Sequence, residues 1–346
     1  MNALTRRNFL RTGLAAAAFG ATGSLMAPGS AFGSLMTPAS ARRRAATAPF
    51  TAYSGDSFFK SSVIGAPVAE ERTAAFRSFM KAHPDQRDYA YPQIKGVGGN
   101  AWGTAYAMGT RTDPIWRLTG VVPSKCASLK TEGFHAPSWL GQMLTGTSDS
   151  PFCVIDVAFG FTMFAANAVV VGDRLIKVSS AGKTHHSSNG LHHKNPRSDD
   201  QRNFTSRGRI SDAMVIRRDL VDYGIENQTD LGHVLQIFLV ETRTADGFCH
   251  PMVGEEGGKY GFGAEGERIA IAPGVNLTKR GLSPAALVIA RTLKNYGCYF
   301  GDNAGSGSSL KAEQETKARP VWNGLLDRNS LEGLTWDDFV VLPKGW

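Results

Sequence analysis

The chain has 346 residues, 42% of them hydrophobic, and a formal net charge of +8 at pH 7. That is enough apolar material for a sizeable core in one large domain or two small ones. Lys and Arg are not gathered into runs, which argues against a nucleic-acid partner.

The first forty residues read as an address. Thr5-Arg6-Arg7-Asn8-Phe9-Leu10-Arg11 resembles a twin-arginine export signal, a weakly apolar Ala/Gly-rich run follows, and Ala39-Ser40-Ala41 fits a cleavage site. Gly and Pro interrupt the run, which is too short to span a membrane. Residues 1–41 are therefore expected to be removed on export, leaving a secreted or cell-wall-associated chain with no membrane partner. Without Arg6, Arg7 and Arg11, 35 basic residues face 30 acidic ones, a mild excess compatible with an anionic polymer. Residues 42–60 are basic and Ala-rich, and are expected to be a mobile lead-in. Residues 61–346 are expected to form a single domain.

Within that domain, Ala69–His83 predicts a helix whose apolar stripe is Ala75, Phe76, Phe79 and Met80. Ala101–Met108, Pro151–Phe164 and Ala168–Val178 read as strands between turn signals. Leu231–Thr242 is apolar and β-branched enough for a buried strand. Glu267–Ala272 alternates, with Ile269 and Ile271 on one face and Arg268 on the other. Ser283-Pro284 opens a helix carrying Ala286, Ile289, Leu293 and Tyr296, and Gly297 ends it. A strand from Cys298 to Phe300 then delivers Asp302 and Asn303 into a Gly/Ser loop. Many short strands and few helices predict a β-rich α+β fold, an antiparallel β-sandwich of jelly-roll type with peripheral helices.

Several motifs are excluded. Gly261–Gly266 matches GxGxxG by letter, but a strand follows where a dinucleotide site needs a helix. There is no GxSxG, HExxH, Walker A or EF-hand pattern. Cys126, Cys153, Cys249 and Cys298 are far apart with no CxxC, against a zinc ribbon or thioredoxin reading.

The polar stretch 181–213 holds His185, His186, His192 and His193, imidazoles that could take Zn or Cu. Adjacent histidines on a strand point opposite ways, so no cofactor is expected and the stretch is read as the border of a ligand groove. The acid candidates are Asp156, Glu255, Glu256, Glu265 and Asp302. Asp156 interrupts an apolar strand, where a lone charge is costly. Glu265 and Asp302 stand at strand ends, where clefts gather such groups. His233 and Glu241 share one strand about 26 Å apart, at about 3.3 Å per residue, too far for one catalytic centre. Trp102, Trp116, Trp139 and Trp322 offer rings for stacking on sugars. Asn189, His193, Arg207, Arg209 and Arg268 offer polar grips.

The segments around His233 (LGHVLQIF), Ala270–Leu277 and ALVIARTLKNYGCYFGDNAG resemble a family of secreted bacterial proteins of no settled activity. The resemblance covers roughly the last third of the chain and implies a coherent domain without implying a chemistry. The functional expectation is an exported carbohydrate-active enzyme, a glycoside hydrolase acting on an extracellular or cell-wall polysaccharide. Its carboxylate pair would come from Asp156, Glu265 and Asp302, in one groove with His233 or Arg268. A polysaccharide lyase on a uronate polymer and a non-catalytic glycan-binding protein are the alternatives. For export, replacing Arg6 and Arg7 by Lys should leave the protein in the cytoplasm on cell fractionation. Normal amounts outside the cell would refute the signal.

Overall fold

Helix α1 (Glu70–Ala82) forms where two acids, Glu70 and Glu71, occupy the first turn and Lys81 the last, the arrangement that the helix dipole favours. Its Phe76 and Met80, four residues apart, are both fully buried. The computed structural model describes residues 47–86, 89–100, 102–146, 151–190, 214–252 and 254–346. All of these belong to one compact unit, Ala46–Trp346.

The largest sheet has six strands: β1 (Gln93–Lys95), β10 (Leu235–Leu239), β11 (Arg268–Ile271), β12 (Cys298–Asn303), β13 (Ser309–Lys311) and β14 (Phe339–Val341). Their spatial order is β1-β13-β10-β12-β11-β14. A second sheet contains β2 (Ala105–Gly109), β5 (Phe152–Asp156), β6 (Phe161–Ala166) and β9 (Ser180–His185), ordered β2-β5-β6-β9. A third contains β3 (Ile115–Gly120), β4 (Phe134–His135), β7 (Val169–Gly172) and β8 (Leu175–Val178), ordered β4-β3-β8-β7. The fold is β-rich α+β. All three sheets are mixed where antiparallel pairing was expected: β1 with β13, β10 with β12, β2 with β5 and β3 with β8 run parallel.

Side-chain alternation sets the layers. Leu235, Ile237 and Leu239 face α1, α3 (Arg218–Asn227) and α4 (Pro284–Asn295) in one core that also takes Trp322 and Trp336. Val234 and Tyr299 pack with Phe164 of the second sheet, along with Tyr53, Phe59 and Met214. The opposite face of the second sheet contributes Phe152, Val154, Met163 and Ala165 to a core shared with Trp116, Leu118 and Ile176 of the third. Residues 47–60 are part of this packing and not a loose lead-in, since Phe59 is buried and the Tyr53 hydroxyl meets Thr184 Oγ1 at 2.9 Å. Helix α4 starts as its sequence predicts, with Ser283 Oγ accepting from Ala286 N and Pro284 in the first turn. The polar stretch beginning at residue 181 opens with β9; residues 191–213 lie outside the described residues.

Two glycines place the end of β12. The register of β10 against β12 slips between Ile237 and Phe238, so that Phe238 opposes Asp302, and the extra residue is Gly301. A Cβ on Gly301 would stand 1.6 Å from Gln236 Nε2. Gly266, between Glu265 and Glu267, has φ +91°, and a Cβ there would stand 1.9 Å from the Cys249 carbonyl oxygen. Its N–H donates to Phe300 O at 2.7 Å, which fixes Glu265 beside β12. Gly266→Ala should lower the free energy of unfolding by more than about 2 kcal/mol, from backbone strain and the clash together. Denaturant unfolding measures this, and a loss under about 0.5 kcal/mol, the range of an ordinary surface change, would contradict it.

Candidate functional site

The face of the six-stranded sheet turned away from the helices carries a cavity of about 290 Å³, lined by Lys95, Trp102, Phe238, Asp302, Asn303, Ser306, Ser309 and Lys311. Strand pairing explains the set. Lys95 lies opposite Lys311 across β1 and β13, Ser309 opposite Phe238 across β13 and β10, and Phe238 opposite Asp302 across β10 and β12. Residues paired in this way share a face. Trp102 is 40% exposed and follows a tight turn in which its N–H donates to Asn100 Oδ1.

One wall is basic. Lys95 Nζ donates to Ser306 Oγ at 3.1 Å, and Lys311 Nζ stands 4.0 Å above the Phe238 ring. Burial lowers the pKa of Lys95, and the nearby Arg328 charge lowers it further.

Opposite it, Asp302 joins the cavity to an acidic group. Carboxylate oxygens of Glu256, Glu265 and Asp302 lie within 4.8 Å of one another, the one such group among the described residues. Asn303 is the strut that holds them. Its Nδ2 donates to Glu256 Oε2 at 2.6 Å, its Oδ1 accepts from Thr242 N at 2.7 Å, and its N–H donates to Asp302 Oδ1 at 2.9 Å. Glu256 N donates to Glu265 Oε1 at 3.0 Å, and Lys259 Nζ stands 3.5 Å from Glu256 Oε1. Glu265 is fully buried, whereas Glu256 and Asp302 are half-buried. Three oxygen donors so close together suit a hard divalent cation; the same spacing suits paired-carboxylate chemistry.

The sequence candidates are thus partly brought together. Asp302 and Trp102 line this cavity, and Glu265 stands behind Asp302 in the three-carboxylate group. Asp156 does not join them: it ends β5 in the second sheet, fully buried, accepting from His135 N at 2.7 Å, Phe159 N at 2.8 Å and His135 Nδ1 at 3.1 Å. Its charge in an apolar strand serves a turn. His233 is also fully buried, its ring stacked on Phe59 at 4.7 Å and its Nδ1–H donating to Val234 O at 2.9 Å. Arg268 is locked to Tyr296 O, Ser61 and the Tyr299 hydroxyl, which engage all three guanidinium nitrogens. Arg268 and Asn189 border a different cavity, of about 390 Å³, with Phe58, His250, Tyr299 and Trp346.

His193, Arg207 and Arg209, with His192, lie outside the described residues. Of the remaining histidine pair, His185 Nδ1 meets Ser187 Oγ at 2.7 Å, while His186 Nε2 meets Thr162 Oγ1 at 3.1 Å. Trp116 and Trp322 are core residues, and Arg319 covers Trp139 at 3.4 Å.

Lys95, Lys311, Ser309 and Phe238 were missed. The signal available for two of them was SLK, a polar-apolar-polar alternation short enough to read as loop. No protein-family model, curated protein or solved structure matches the chain.

Burial lowers the pKa of His233 from 6.5 to about 4. A histidine held neutral in the fold contributes stability that is present above its ordinary value and lost as pH falls through the folded one. His233→Phe keeps the stacking and removes the titration. Relative to the unaltered protein, it should gain up to about 3 kcal/mol of stability between pH 6.5 and pH 4. Unfolding curves at several pH values test this, and a difference that stays constant across the window would contradict it.

Proposed function

We propose that the chain is an exported glycoside hydrolase acting on an extracellular or cell-wall glycan at the cavity edged by Asp302. The observation that carries this reading is that Asp302 belongs to both the cavity and the three-carboxylate group. Hydrolysis of a glycosidic bond needs one carboxyl group to protonate the leaving oxygen and a second to meet the anomeric carbon or activate water. Asp302 is the carboxylate that faces the cavity, and Glu256, braced by Asn303 and Lys259, is its partner. Carboxylate oxygens that all lie within 4.8 Å of one another are close enough for two of these acids to serve one bond. The exposed Trp102 ring at the cavity edge supplies a stacking face for a sugar. Export rests on TRRNFLR and the Ala-Ser-Ala site.

A polysaccharide lyase is the second reading, favoured by Lys95. An ammonium whose pKa is lowered by burial is closer to the neutral amine that abstracts a proton α to a carboxylate. Incubation with a glycan panel separates the two, reading reducing ends and the ultraviolet absorbance of an unsaturated sugar end together. Hydrolysis gives reducing ends alone; a lyase gives both signals. Asp302→Asn should cut turnover by roughly 10²-fold or more, the scale of a lost acid–base group, with an unchanged melting temperature. A fall in melting temperature with activity retained would make Asp302 structural and refute the reading.

A further inference from the structure

We propose that the basic wall of this cavity is a carboxylate subsite, so that the glycan cleaved is an acidic one. Lys95 and Lys311 hold the carboxylate of a sugar unit whose neighbouring glycosidic bond faces Asp302. This assignment rests on the hydrolase reading for its bond-cleaving half and on separate observations for its binding half.

The first observation is polarity. The two lysines stand side by side on β1 and β13, while the carboxylates gather at the end of β12. A ligand spanning the cavity meets the two lysines on one side and Asp302 on the other. A sugar carboxylate beside a neutral acetal has that same order of charge.

The second is the state of the basic wall. Lys95 is 9% exposed and forms no ion pair among the described residues; its ammonium is held by a serine hydroxyl. A buried cation without an acid is unfavourable, and an incoming carboxylate offsets that cost. The Lys95 ammonium is not spent on the acidic group, where Glu256 already has Lys259.

The third is a set of buried polar atoms without protein partners on the same face. Ser309 lines the cavity, is 1% exposed, and its hydroxyl oxygen has none. Gln93 Nε2, on the residue paired with Ser309, has none either, and neither has the amide of Gln236, two residues before Phe238. Native proteins leave few such groups, and the Ser309 hydroxyl, which lines the cavity, points to a polar ligand there. The volume of about 290 Å³ lies at the low end of small-molecule sites, which suits one sugar ring and its substituents.

A sugar carboxylate is either a uronate or a lactyl ether, and the test separates them. Binding is measured by calorimetry on the Asp302→Asn protein, which does not consume its ligand. One arm compares galacturonate and glucuronate tetramers with their methyl esters. The other compares a tetrasaccharide alternating N-acetylglucosamine and N-acetylmuramic acid with its lactyl amide.

In one arm the acid should bind roughly tenfold tighter than its uncharged counterpart, the scale of a hydrogen bond to a charged group. Lys95→Met and Lys311→Met, at unchanged melting temperature, should each abolish most of that preference, and Lys95→Arg should retain it. Equal affinity for acid and neutral forms in both arms overturns the subsite, as does a preference that survives both lysine changes, or no binding at all. The hydrolase reading fails separately, if the unaltered protein releases no reducing ends from any glycan while the acidic preference persists.

Discussion

The parallel pairing of β10 with β12, and the one-residue slip within it, is the constraint on which the site depends. Both strands are buried on both faces, so each needs a cover of helices on one side and of the second sheet on the other. Along β12, Cys298 and Phe300 face the helices, and strict alternation would send Asp302 after them. Gly301 inserts an extra position, and beyond it Asp302 lies opposite Phe238 on the cavity face. A one-residue shift turns every later side chain over. The slip needs a residue without a side chain, because the Gln236 amide fills the space where a Cβ would be. One missing methyl group thus decides whether the carboxylate meets solvent or core.

The elements legible in the sequence are those whose local chemistry and burial agree. Helix α1 runs Glu70–Ala82 within the expected Ala69–His83, because its apolar stripe and its terminal charges point the same way. Helix α4 has its serine cap, its first-turn proline and Gly297 at φ +64° just past the C-cap Tyr296. Strand partners were not legible. Alternation shows which residues share a face and is silent on which strand lies alongside, so parallel pairs were read as antiparallel ones. β1 and β13 were invisible for a further reason. Three residues long, with Gln93, Lys95, Ser309 and Lys311 on their inner face, they carry polar groups where a core strand should be apolar.

The same conflict separates the site residues that were legible from those that were not. Glu265 and Asp302, singled out as acids at strand ends, do lie together in the three-carboxylate group. Asp156 was singled out as a lone charge in an apolar strand, yet its carboxylate is satisfied by His135 and the N–H of Phe159. Single-residue context cannot separate these cases, since the distinguishing partner, His135, is 21 residues away in sequence. The lysines were missed because the sequence marks a buried ammonium no differently from an exposed one. Local inconsistency, polar residues inside a sheet, is here the trace of the cavity itself.

Burial of ionisable groups extends beyond the cavity to the layer between the six-stranded sheet and the second sheet, where it makes stability depend on pH in two opposing ways. Arg217, 2% exposed, stacks over Tyr106 at 5.1 Å and is gripped by Asp219 through two nitrogens. Nearby Glu313 has its pKa raised to about 7, chiefly by burial, the Arg218 N–H and the Arg217 charge offsetting only part of that cost. An acid raised in this way contributes stability below its ordinary value of 4.5, and that contribution is lost as pH rises through about 7. His233 and His186, both lowered to about 4, act in the reverse sense, and their contribution is lost as pH falls from 6.5. The three windows overlap between pH 4.5 and 6.5, so each side's loss is set partly against the other's gain. A fold that buries acids and imidazoles together therefore has a flatter pH dependence than either group alone would impose.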